Sequence, residues 1–153
     1  ENAGVSGDTT SGGLSRLDWA VGPDADAVIL ELGANDALRG VDPKLTRANL
    51  AAILARLKAR KIPVLLAGML APPNMGADYA KLFNRIYPEL AATNGLVFYP
   101  FFLDGVATHS GLVLADGLHP TPEGVSVIVA RILPKVEELI DRAEAAKPAG
   151  AAE

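Results

Sequence analysis

The chain has 153 residues, a net charge of −4 and no cysteine. That length is enough for one domain with its own aliphatic core, and the missing thiols exclude cysteine nucleophiles, thiolate metal sites and disulfides. Half of the residues are apolar and only 5% aromatic, and the 14 Lys and Arg form no basic stripe, which excludes a nucleic-acid surface and points to a layered α/β interior built from Ala, Val, Leu and Ile.

The opening stretch "NAGVSGDTTSGG" has neither the basic segment nor the apolar run of a signal peptide. Within it, Asp8 or Thr9 is placed to cap a short helix. "DAVILELGAND" predicts a buried parallel strand over Ala27 to Leu32 that ends on Gly33 and a polar turn. Asp42 as N-cap and Pro43 at the first helical position then open a helix, with Leu45, Leu50, Ile53, Leu54 and Leu57 at helical spacing. Lys58, Arg60 and Lys61 complement the negative end of its dipole. A second apolar run, Val64 to Met69, completes a strand–helix–strand unit, which implies a right-handed parallel crossover.

Helical spacing returns from Asp78 to about Asn94 through Tyr79, Leu82, Phe83, Ile86 and Leu90, with Pro88 expected to kink or restart the helix and Gly95 to close it. "LVFYPFF" predicts a third strand. A terminal helix follows His119, carrying Val125, Ile128, Val129, Ile132, Val136, Leu139 and Ile140, with a bend expected at Pro134. Residues 1–144 thus read as one domain and 145–153 as a flexible tail. No apolar run is long enough to insert stably in a bilayer.

In open α/β sheets, ligands bind beyond the carboxyl ends of the strands, and three polar stretches fall at such ends. In "DGLHP", Asp116 either caps the backbone amides of a helix start or accepts the Nδ1 proton of His119, leaving Nε2 as a base. In "GAND", Gly33 and Asn35 are either plain turn residues or Asn35 presents its amide to a developing oxyanion, with a backbone N–H beside Gly7 as a second donor. His109 is read as a loop polar group. No group of donors has metal-site spacing, so no metal or other cofactor is expected. Trp19, Tyr79, Tyr87, Phe101 and Phe102 are read as packing residues.

Taken together, "NAGVSGDTTSGGLSRL", "VILELGANDALRGVDP", "YPELA", "LVFYPFF" and "LADGLHPTPEG" resemble the SGNH, or GDSL-type, hydrolases, and within them the bacterial arylesterase, acyl-CoA thioesterase I and lysophospholipase subgroup. The resemblance runs from Asn2 to about Leu139. It implies a flavodoxin-like three-layer α/β/α fold around a parallel sheet. Gly7 and Asn35 match the oxyanion-hole positions, His119 the general base and Asp116 the acid that orients it. The "ALRGV" and "LAPPNMGADY" loops match segments that line the acyl site. The implied substrate is a small acyl ester or thioester, and the implied location periplasmic or secreted.

One element of the family pattern, the Gly-Asp-Ser-Leu block on the first strand, has no counterpart. The serines are Ser6, Ser11, Ser15, Ser110 and Ser126, and none follows a strand in a Gly-Asp-Ser setting. Ser6 is nearest by position but belongs to the block that supplies the oxyanion glycine. The expectation is therefore a domain lacking its N-terminal strands, roughly forty residues by typical element lengths, unstable alone and completed by an N-terminal fragment that brings the nucleophile. The competing expectation is a non-catalytic binding or interaction module.

Overall fold

A computed structural model describes residues 1–147. Three short parallel strands, β1 (Val28–Glu31), β2 (Val64–Ala67) and β3 (Val97–Tyr99), lie side by side in that order. Val28 sits beside Val64 and Glu31 beside Ala67, while Leu65 to Ala67 run beside Val97 to Tyr99. β2 is buried along its whole length, as an unbroken apolar strand with neighbours on both edges should be.

Helices cover both faces, which gives the expected three layers. On one face α1 (Thr10–Ala20), α3 (Pro43–Ala59) and α5 (Ile86–Asn94) close the larger core, in which Leu50, Ile53 and Leu57 are fully enclosed beneath Leu30 and Leu66. Burying each such side chain contributes about 1.5–3 kcal/mol. On the other face α6 (Pro122–Ala146) lays Ile132 and Leu139 on Leu65, Val97 and Tyr99. α2 (Ala34–Leu38) and α4 (Ala77–Phe83) are short pieces at the loops.

Caps set the helix limits much as their residues dictate. The Thr9 hydroxyl accepts from Gly12 N–H, and the Asp42 carboxylate accepts from Lys44 N–H just before Pro43. Gly95 ends α5 in the left-handed region.

Several expectations need correction. The helix predicted over 78–94 is two helices, broken at Asn84 and Arg85. Pro88 lies in the first turn of α5, where its missing N–H has no intrahelical role. Helix α6 includes Ala145 and Ala146, which the sequence placed in the tail; the tail residues 148–153 lie outside the described residues. Trp19 is 83% exposed because α1 buries Thr10, Gly13 and Leu17, and a residue two positions beyond Leu17 points the opposite way. Leu45 is half-exposed for the same reason, being about 100° around α3 from buried Thr46.

One edge of the sheet is bare. β1 pairs only with β2 among the described residues, and α6 packs chiefly on β3 and β2. Ile29, which alternates with buried Leu30, is therefore 48% exposed. A groove of about 850 Å³ runs along this edge, lined by Val5, Leu17, Ile29, Glu31, Asn35 and Leu139. α6 adds a half-exposed apolar stripe of Val125, Val129, Leu133 and Ile140, spaced at three to four residues or a multiple of it.

Candidate active site

Parallel strands put every outgoing loop at one end of the sheet. The loop after β1 holds Gly33 and Asn35, and the long connection from β3 to α6 holds Asp116 and His119. Gly7 comes to the same end because α1 starts there, against Asp36 of α2.

Asp116 and His119 are within one turn. Asp116 Oδ1 accepts from Leu118 N–H at 2.9 Å and His119 N–H at 3.0 Å, while Oδ2 lies 2.7 Å from His119 Nδ1. Gly117 supplies the positive φ of 70° that this tight reversal needs. The turn is anchored by Leu114 N–H on His119 C=O at 2.7 Å and by Thr121 N–H on Leu112 C=O at 2.9 Å. One carboxylate oxygen thus caps backbone amides and the other meets the imidazole. The capped amides belong to the turn, however, and Thr121 is the cap of α6.

The two backbone amides, and then the imidazole, hold the Asp116 carboxyl down at about 2. An ionised carboxylate can only accept, so Nδ1 is the donor in this bond, and in the neutral ring the lone pair falls on Nε2. The sign follows: a depressed carboxyl stabilises the turn above its ordinary value of 3.8 and loses that contribution as pH falls through about 2. In a carboxyl-detected NMR titration Asp116 is expected to protonate near 2, and a midpoint near 3.8 would mean the turn does not hold it.

Asn35 lies in the first turn of α2 and lines the groove. The sequence suggested a simple turn here; the structure has five helical residues begun by Gly33 at φ 113°. A side chain at Gly33 would place its Cβ 2.1 Å from the Tyr87 hydroxyl. That hydroxyl donates to Leu32 C=O at 2.9 Å, pinning the end of β1 to α5. Among the described residues nothing hydrogen-bonds the Asn35 side-chain amide.

Gly7 has a positive φ of 77° in an exposed turn. Its carbonyl accepts from Arg39 Nη2 at 2.8 Å, and Arg39 is the C-cap of α2, so the glycine turn is tied directly to the helix carrying Asn35. Asp8 pairs with Arg16 at 2.7 Å, and Arg16 also donates to Ala3 C=O at 2.7 Å, fastening the opening segment to α1. The two loops assigned to an acyl site touch each other through Tyr79, whose hydroxyl donates to Val41 C=O at 2.8 Å. Gly7 and Asn35 are thus joined through Arg39, and Asp116 and His119 through their own bond, while no hydrogen bond links the two pairs among the described residues.

Sequence reasoning passed over Asp36 and Arg39, and it read Tyr87, which is buried, as a packing residue only.

Comparison with known proteins extends this picture. The profile of the GDSL-like lipase/acylhydrolase family matches residues 1–127. Esterase TesA of Pseudomonas aeruginosa is 39% identical over 140 residues, which cover 91% of this chain and 70% of the esterase. An arylesterase of Vibrio mimicus is 42% identical over 123 residues, covering 80% of this chain and 62% of the relative. Among solved structures, the psychrotrophic esterase EstA from Pseudoalteromonas, inhibited by monoethylphosphonate, superposes with a TM-score of 0.85 at 30% identity over 92% of this chain and 78% of its own.

Proposed function

The chain belongs to the GDSL-like lipase/acylhydrolase family, and from that premise we propose that it serves a serine hydrolase of carboxylic esters or thioesters whose nucleophilic hydroxyl comes from outside these 153 residues. The observation that carries the reading is the 2.7 Å bond between Asp116 Oδ2 and His119 Nδ1. It fixes a tautomer whose free Nε2 can take a proton from a hydroxyl as that hydroxyl attacks a carbonyl carbon. The charge on the carbonyl oxygen is met by the Gly7 N–H and the Asn35 amide, worth a few kcal/mol per donor in the transition state. His119 then gives the proton to the departing alcohol or thiol, and water repeats the sequence on the acyl-enzyme.

The bare edge of β1 supports the source of the hydroxyl. A parallel strand laid there would run in the same direction and end beside Asn35, where its last side chain would meet the loop. The serines within the chain are less suited. Ser15 and Ser126 bond helix carbonyls at 2.7 and 3.1 Å, and Ser6 lies in the exposed turn beside Gly7.

An alkyl fluorophosphonate separates these possibilities. With the 153-residue chain, mass spectrometry is expected to find no labelled serine; with a β1-pairing, serine-bearing strand joined to it, one serine on that strand is labelled. Label on Ser6 would move the nucleophile into the glycine turn and overturn the assignment. No label in either protein would favour a binding module that keeps the fold without the chemistry.

A further inference from the structure

Asp36 is 1% exposed and the mechanism above gives it no part. Its Oδ2 accepts from the backbone N–H of Thr10 at 2.8 Å, and its Oδ1 accepts from the hydroxyls of Thr10 and Thr46, the latter at 3.2 Å. Asn49 Nδ2 donates to the Thr10 hydroxyl at 3.1 Å and closes the cluster. Every partner is on another helix: Thr10 opens α1, and Thr46 and Asn49 belong to α3. A buried carboxylate needs such donors to offset its lost hydration, so the contacts are obligatory and fix geometry tightly.

The positions of these residues give the cluster its meaning. Asp36 directly follows Asn35, and Thr10 is three residues after Gly7. The bond between them sets how far the first turn of α2 stands from the first turn of α1. Arg39, one helical turn beyond Asp36, reaches the Gly7 carbonyl at 2.8 Å and forms a second strut across the same gap. We infer that Asp36 is a positioning residue: with Arg39 as its outer companion, it fixes the spacing and aim of the Gly7 and Asn35 donors from beneath, without touching substrate.

This inference rests on the oxyanion reading of Gly7 and Asn35, and the two fail in different ways. The probe is butylphosphonate, a tetrahedral oxyanion, followed by ¹H–¹⁵N spectra of the whole chain. In the wild-type protein it is expected to shift the Gly7 N–H and Asn35 side-chain resonances; no shift there ends the oxyanion reading alone.

Asp36→Asn keeps the volume but leaves one oxygen where two accepted. It is expected to speed exchange of the Thr10 amide at least tenfold, to move the free-state Gly7 resonance, and to weaken butylphosphonate binding about tenfold or more, with β3 and α5 resonances unchanged. Thr10→Val, which removes only the hydroxyl, covers the case in which Asp36→Asn does not fold, and should give the same pattern more weakly. Thr10→Ser should restore the wild-type spectrum. A Gly7 resonance that stays put while the Thr10 amide is released, or a Thr10→Val protein with wild-type Gly7 shifts, overturns the positioning role whatever the phosphonate does.

Discussion

Joined to a strand that pairs with β1 and presents a serine at its carboxyl end, the chain is expected to hydrolyse p-nitrophenyl butyrate, and His119→Ala in that protein to lower kcat about 10⁴-fold or more. Removing the imidazole leaves the hydroxyl without a proton acceptor, and only donor stabilisation and substrate binding remain. Asp116→Asn should cost less than His119→Ala but act through the same step, because an amide at position 116 still offers an oxygen yet no longer selects the Nδ1 tautomer. Both losses should appear in kcat with KM nearly constant, since neither group is needed to hold the ground-state ester. Equal rates with and without the imidazole would remove His119 from the reaction. Stopped assays at neutral pH, with the 153-residue chain alone as baseline, decide it.

Gly33→Ala is expected to lower the unfolding free energy by about 2–5 kcal/mol. Two costs add. A φ of 113° is strained for any residue with a Cβ, and that carbon would lie 2.1 Å from the Tyr87 hydroxyl. Tyr87 cannot easily retreat, because it is 1% exposed and packs edge-on against Phe83. Tyr87→Phe alone forfeits the bond to Leu32 C=O, about 1 kcal/mol. In the double variant the steric part should be relieved while the backbone strain stays, so the two losses are less than additive. Urea midpoints of the four proteins give the cycle, and strict additivity would show that the clash is absorbed elsewhere.

Local chemistry made much of this architecture readable in advance. Asp42 with Pro43 announced α3, Gly95 announced the end of α5, and the apolar runs at Val28, Val64 and Val97 announced three strands whose β-α-β order required them to be parallel. The Asp116–His119 pair was legible because both partners fit in one turn. What escaped depends on contacts between distant segments. α2 is only five residues long and opens on a glycine, which local propensity reads as a turn. Asp36 draws its partners from 26 and 10 residues away, and nothing in a linear pattern distinguishes it from a solvated acid. Trp19 was misjudged because large aromatic residues are usually buried, whereas its angular position on α1 faces water. The half-exposure of Ile29 follows from sheet order, which spacing alone does not fix.

The two oxygens of Asp116 are both spent inside a five-residue stretch, one on turn amides and one on the imidazole. In the proposed mechanism the proton-handling pair is therefore held locally, whereas the Gly7 and Asn35 donors depend on three docked helices. Loosening of the domain from its β1 side is then expected to part those donors first and to leave the Asp116–His119 pair oriented after they have separated.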